Sequence, residues 1–342
     1  MIHPIRSTSS IRIFLSVLLI SFMTVVGALT VRAQGGEDVL RIESNLVQLN
    51  VGVVNKQGNA ILNLSRNDFA VYENGVRQEI QAFEPTDKPF SLVLLLDVSG
   101  STITFRETLK QAAYRFLDAL KPDDRVEVVA FNEKIKTISS FTNDRRKTAN
   151  AIWAADGKGQ TEFYKSLSFA INELSKEGTR RKAVVVMTDG IDSNLRKVDR
   201  MKAAQATTDI EAVAAIQPDA SPELQAVLTS ADRQGVTIYP LALPSGDPKR
   251  IALPDPQIIA VYVTARSRLE ILANRTGGEL NAINRLDELS KVYLRVAANL
   301  RTLYTIAYKP ERKDPKTGWR EVRIEVSQPE LLAHTRPGYF AR

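Results

Sequence analysis

Asp97, Ser99 and Ser101 stand at alternate positions of Asp97-Val98-Ser99-Gly100-Ser101, Thr161 follows in Gly157-Lys158-Gly159-Gln160-Thr161, and Asp189 lies in Met187-Thr188-Asp189-Gly190. Two carboxylates, two or three hydroxyls and water make an all-oxygen donor set for a hard cation. Mg²⁺, or Mn²⁺ in its place, suits so sparse a set, because Mg²⁺ takes octahedral geometry at about 2.0–2.1 Å and keeps several waters. Such a site leaves a coordination position open. A carboxylate from another molecule fills it, and the cation becomes a bridge. Gly100 permits the tight turn from which Ser99 and Ser101 direct their hydroxyls to one point. Ser, Thr and Asp are also good helix caps, so the first three residues alone read equally well as a strand-end turn. Thr161 and Asp189, in register with them, favour the metal.

Donors drawn from such distant positions must be brought together by elements that end side by side. Residues 90–96 form a continuous apolar strand running straight into Asp97. Phe105, Leu109, Ala112, Ala113, Phe116 and Leu120 then recur at helical spacing before Pro122. The pattern continues with a strand over 126–131, a helix over 164–174, a buried strand over 183–187 and a long helical stretch over 197–233. A strand over 236–243 and helices over 267–275 and 286–300 complete it, and 243–257, with four prolines, reads as a surface loop. Strands apolar throughout, alternating with helices, predict a doubly wound α/β sheet covered on both faces. Ligands bind beyond the carboxyl ends of such strands, where strand order reverses. In the common strand order, the strands ending at Asp97 and Asp189 are neighbours there.

The flanks are of another kind. Residues 46–83 alternate in short runs, with a turn at Lys56-Gln57-Gly58-Asn59 and another at Gly75, and alternation returns over 303–309, over 321–326 and around Arg336-Pro337-Gly338-Tyr339, with a turn over 314–318. Neither flank alone supplies enough strands for a sheet of good size. The expected architecture is therefore a β-sandwich of N- and C-terminal strands with the α/β domain inserted: first strands over 40–88, the inserted domain over 89–301, closing strands over 302–342.

The order and spacing of Asp97-x-Ser99-x-Ser101, Thr161 and Thr188-Asp189-Gly190 resemble the von Willebrand factor type A family. The resemblance covers about residues 88–300, and it implies that Asp97, Ser99, Ser101, Thr161 and Asp189 form a metal-ion-dependent adhesion site. It further implies that the serines and threonine coordinate directly, and the aspartates directly or through water. Gln160-Thr161-Glu162-Phe163 departs from the family's more usual glycine before the threonine and small residues after it. Leu64-x-x-x-Asp68-Phe69-x-Val71-x-Glu73-Asn74-Gly75, Tyr308-x-Pro310 and Arg336-Pro337-Gly338-Tyr339 are similar to a bacterial group of secreted proteins related to that family and associated with acidobacteria.

Basic residues Arg6 and Arg12 precede an apolar run over 13–31, and Val31-Arg32-Ala33 suits signal-peptidase cleavage. Residues 1–33 are thus a cleaved signal peptide or, since 13–31 is long enough to span a bilayer, a retained membrane anchor; either way residues 34–342 are secreted or face the periplasm or cell envelope. The net charge of +7 falls to +4 without Arg6, Arg12 and Arg32, too mild to argue for nucleic acid. Cysteine is absent, which removes disulfides, thiolate sites and thiol nucleophiles. His3 and His334 are the only histidines, so a histidine zinc site or a Ser-His-Asp triad has only His334 outside the leader, in a different domain from the metal motif.

The expected function is cation-dependent adhesion to a protein ligand that supplies a carboxylate, without catalysis. An envelope scaffold and a metal-assisted hydrolase are the alternatives. Asp192 and Ser193 read as ordinary loop polarity, Glu162 as an exposed loop acid, and Lys197, Arg200 and Lys202 as a solvated helix face. Trp153 and Trp319 read as packing residues, one under a loop and one on a strand.

Overall fold

In the computed structural model, which describes residues 46–86, 88–250, 255–283, 285–310 and 318–341, the chain begins with strand β1 (Val47–Val54), whose residues alternate between buried and half-buried. Strands β2 (Phe69–Glu73), β3 (Val76–Gln78) and β4 (Ile80–Glu84) follow. After the inserted segment come β11 (Leu303–Tyr308), β12 (Gly318–Val326), β13 (Leu332–His334) and β14 (Gly338–Ala341). These pair into two antiparallel sheets, in the orders β13-β1-β11-β4 and β14-β12-β2-β3, so each sheet mixes strands from the two ends of the chain. Leu49, Val51, Phe69, Val71, Tyr304 and Ile306 pack between them. A buried carboxylate locks the layers: Glu73 accepts from the hydroxyls of Tyr308 and Tyr339 at 2.7 Å each and from Arg320 at 2.5 Å. The expected sandwich forms because neither flank can bury its own apolar face alone.

Between the flanks lies a mixed sheet of β5 (Phe90–Asp97), β6 (Arg125–Phe131), β7 (Ile135–Thr142), β8 (Arg181–Thr188), β9 (Val236–Ala242) and β10 (Asn281–Ala282), in the order β10-β9-β8-β5-β6-β7. All its pairings are parallel except β6 with β7. The helices are α1 (Arg106–Asp118), α2 (Arg145–Ala154), α3 (Phe163–Ser175), α4 (Ser193–Lys202), α5 (Asp209–Ala214), α6 (Pro222–Gln234), α7 (Pro256–Thr276) and α8 (Leu289–Arg301). Side chains of a strand alternate between faces. Accordingly Leu92, Leu94 and Leu96 pack under α1, α2 and α8, while Val93 and Leu95 pack under α3, α6 and α7. This is the doubly wound arrangement, and it explains why β5 is apolar at nearly every position.

Arg181, buried at the start of β8, fastens the two layers of the molecule. It donates to the carbonyls of Leu303 at 2.7 Å and Thr86 at 3.1 Å, on the two connections between the mixed sheet and the sandwich.

Three stretches differ from the sequence reading. The continuous helix expected over 197–233 is broken into α4, α5 and α6, because Thr208 and Ser221 each cap a new start and Pro222 opens α6. Helix α7 begins at Pro256, well before residue 267, with Asp255 as its cap; the last of the four prolines starts a helix instead of excluding one. Strand β7 and helix α2 went unread. Most of β7 is only half-buried or exposed, as suits the edge of a sheet, and it carries no continuous apolar run. The leader over 1–33 and the turn residues 314–317 lie outside the described residues.

Glu127, buried on β6, accepts from the Thr137 hydroxyl at 3.1 Å, and its other oxygen has no hydrogen-bond partner among the described residues. Burial, with the charges of Glu173 and Glu177 adding to it, pushes this carboxyl up to about 7. The folded state therefore holds the proton more tightly than the unfolded one. Its stabilising effect is complete below the ordinary glutamate range and is lost as pH rises through 7. We predict that urea denaturation will show roughly 2 kcal/mol of stability disappearing from this group between pH 4.5 and 7.5, and that Glu127→Gln will flatten that part of the profile. An unchanged profile in the variant would contradict the assignment.

Candidate metal centre

Strands β5 and β8 are parallel neighbours, with Leu96 opposite Met187, so Asp97 and Asp189 emerge side by side at the same edge of the sheet. The chain proceeds from β5 to β6 on one side and returns to β8 on the other, which makes this crevice the point where strand order reverses.

Asp97 accepts the Ser99 N–H on Oδ1 at 2.9 Å and the Thr188 hydroxyl on Oδ2 at 3.0 Å. Asp189 accepts the Ile191 N–H at 3.0 Å, and the Ser101 side chain lies close enough to favour its charged form. Ser99 and Ser101 bring their Oγ atoms within 3.2 Å of each other. Their turn is pinned from behind by the Thr102 hydroxyl, which donates to the carbonyls of Asp97 and Ser99 at 3.0 Å each. Arg106 donates to the carbonyls of Val98 and Ser99 on the same stretch.

The Thr161 loop meets the cluster through the backbone of Gly159. It accepts the Gly100 N–H on the Gly159 carbonyl at 3.0 Å, and Gly157 lies where a Cβ would come within 2.8 Å of Val98. Ser193 then holds Thr161 twice: its hydroxyl accepts the Thr161 N–H and its own N–H donates to the Thr161 carbonyl, both at 2.9 Å. The structure thus links Asp97, Ser99 and Ser101 by hydrogen bonds, brings Asp189 beside them at the end of the neighbouring strand, and sets the Thr161 loop directly against their turn. Asp97, Ser99, Thr161 and Asp189 are buried, whereas Ser101 is exposed, so the group opens to solvent on the Ser101 side.

Burial pushes both the Asp97 and the Asp189 carboxyl above the ordinary aspartate range, and the neighbouring Asp189 charge raises Asp97 further. Among the described residues neither aspartate forms a salt bridge. Nor do the described residues gather three or more His, Cys, Asp or Glu side chains as a metal cluster. The carboxylates here are two, and the remaining oxygens are hydroxyls. A buried pair of acids held by no salt bridge among the described residues, with hydroxyls at its open side, is a donor set that a hard divalent cation fits.

Several contributors escaped the sequence reading. Thr188, one residue before Asp189, is a donor to Asp97 and accepts the Gly190 N–H at 3.0 Å. Asp192 and Ser193 are more than loop polarity: Asp192 caps α4, and Ser193 fixes Thr161. Glu162 is half-buried and paired with Lys165 at 2.5 Å, not a free loop acid. Trp153 lies exposed on α2 instead of under a loop, while Trp319, on β12, packs beneath the Arg275 guanidinium at 4.2 Å. His334 is exposed on β13 of the sandwich.

Residues 92–191 match the sequence profile of the von Willebrand factor type A domain. The chain carries a von Willebrand factor type A domain. It is 29% identical over 136 residues to the human voltage-dependent calcium channel subunit alpha-2/delta-2, a match that covers 36% of this chain and 12% of that protein. An uncharacterised protein from Synechocystis is 34% identical over 106 residues, 30% of this chain and 25% of its own. The chain thus spans a quarter or less of these relatives. Among solved structures, a von Willebrand factor type A protein from Catenulispora acidiphila aligns with a TM-score of 0.46 at 15% identity, covering 81% of this chain and 74% of that one. The von Willebrand factor domain of the pilus tip protein Mfa5 from Porphyromonas gingivalis aligns at 0.47 and 14%, covering 63% and 95%. Von Willebrand factor type A domains are protein-interaction and adhesion modules, mostly without enzymatic activity, and commonly bind a divalent cation.

Gly246 supports the Asp189 backbone of this domain. A Cβ there would lie 2.3 Å from the Asp189 carbonyl oxygen and 2.9 Å from its carbon, contacts that only backbone movement relieves. Gly246→Ala is predicted to cost roughly 1–3 kcal/mol in urea denaturation; an unchanged midpoint and slope would show that the turn over Pro244–Gly246 yields freely.

Proposed function

We propose that this chain is an exported, non-enzymatic adhesion protein that grips a protein partner through a divalent cation, Mg²⁺ or Mn²⁺, held by Asp97, Ser99, Ser101, Thr161 and Asp189. The observation that carries this reading is the convergence of two buried, unneutralised carboxylates with the Ser99 and Ser101 hydroxyls at a solvent-facing edge. The cation, when bound, supplies the missing positive charge and a coordination position for a carboxylate of the partner. The protein's own residues do the rest. Thr188 and the Ser99 N–H orient Asp97, the Ile191 N–H orients Asp189, and Ser193 holds the Thr161 loop in place.

Gripping is favoured over hydrolysis by how these acids are used. Each already accepts backbone or hydroxyl donors that fix its direction, which suits a ligand more than a proton acceptor cycling during turnover. Residues 1–33 supply export in this proposal, and the adhesion domain over 89–301 is carried between the strands over 40–88 and 302–342.

Isothermal calorimetry of Mg²⁺ and Mn²⁺ against the purified protein, wild type beside Asp189→Ala, tests the site. Saturable binding in the wild type, reduced at least tenfold in the variant, is expected. Equal binding in both would overturn the assignment.

A further inference from the structure

Helix α4 leaves the metal-site loop directly: Asp192 caps it, and its first residue, Ser193, is the one that holds Thr161. Its ten residues extend about 15 Å from that point. Along them Arg196, Lys197, Arg200 and Lys202 are all exposed. The one acid of the helix, Asp199, is buried and spent on Arg268, whose guanidinium donates to both its oxygens, at 2.5 and 2.9 Å. Arg196, Lys197 and Arg200 lie within about 100° of one another around the axis, a patch of three cations that the helix itself leaves unneutralised.

Arg196 is the member nearest the site in sequence. It lines the small cleft beside Gly190, Ile191 and Asp192, and none of the hydrogen bonds or salt bridges among the described residues engages its guanidinium. Its charge reaches Asp189, while Val261 and Ala265 of α7 line the far side of the cleft. Glu162, whose carboxylate accepts from Asn194 at the start of α4, is already paired with Lys165. A solvated helix face accounts for exposed cations, but not for a one-sign row that begins at the rim of a site wanting an acid.

Resting on the metal reading given above, we infer that α4 is a docking track for an acidic polypeptide segment: one carboxylate seats on the cation and the following acids lie along Arg196, Lys197 and Arg200. Charge complementarity chooses this occupant, because the cation and the helix ask for the same sign. Met201, 69% exposed and one turn beyond Lys197, offers apolar contact to the segment's backbone and side-chain stems. The track adds recognition over several residues where a lone carboxylate on a metal would discriminate little, and its charge accelerates encounter.

The test uses a fluorescein-labelled hexaglutamate peptide as probe, followed by anisotropy at 50 mM salt with and without Mg²⁺. Arg196→Ala/Arg200→Ala is compared with wild type and with Arg146→Ala/Lys147→Ala, which removes the same charge from the exposed start of α2. Alanine favours the helix, so the fold survives, and circular dichroism verifies it. Weakening of at least tenfold in the α4 variant, with less than threefold in the α2 variant, is the expected result. No binding by wild type, or equal losses in the two variants, would overturn the track. If the α4 dependence persists with chelator and in Asp189→Ala, the track stands and the metal reading fails; if peptide binding is lost on chelation but ignores the α4 variant, the metal reading stands and the track fails.

Discussion

Two like charges held side by side in the protein interior are the constraint around which the rest of this structure is arranged. Asp97 and Asp189 are buried at the ends of adjacent parallel strands, and water cannot solvate either fully. Left alone, such a pair raises its own pKa values and destabilises the folded chain. The fold tolerates it because hydrogen-bond donors converge on it from three directions: the Ser99 and Ile191 amides and the Thr188 hydroxyl. Those donors distribute the negative charge without cancelling it.

Holding the pair requires rigidity in the strands and adaptability at one edge. Rigidity comes from burying β5 and β8 on both faces, with alternate side chains locked into two separate apolar layers. The edge is made by loops that touch one another: the Ser99–Ser101 turn against Gly159, the Thr161 loop against Ser193, and the turn at Gly246 against Asp189. The sandwich joins the opposite end of the sheet, where Arg181 gathers the carbonyls of both connections. The cluster at the carboxyl ends of the strands consequently faces away from the sandwich connections, and α4 runs out beside it.

Much of this was legible in the sequence because its signals are local and strong. The apolar run before Asp97, the repeated end-of-strand aspartate and the alternation in both flanks each follow from burial, and together they predict an inserted doubly wound sheet. What escaped depended on partners distant in the chain. Thr188 reads as a strand-end residue until Asp97 is placed beside it, and Ser193 reads as loop polarity until Thr161 comes within 2.9 Å. Strand β7 was invisible because an edge strand needs little apolar character. The run over 197–233 reads as continuous because its periodicity outweighs the caps at Thr208 and Ser221. Trp153 reads as packed under a loop, yet α2 leaves it in solvent, and nothing nearby in the sequence marks that helix.

The central claim is that a cation sits between Asp97 and Asp189, and the most direct measurement is an anomalous difference map from crystals of the protein soaked in Mn²⁺. The account predicts a single strong peak in the crevice between β5 and β8, roughly 2.1 Å from the Ser99 and Ser101 hydroxyl oxygens, and its absence in Asp97→Ala crystals treated identically. A wild-type map without a peak in that crevice, or with the same peak retained in Asp97→Ala, would contradict it.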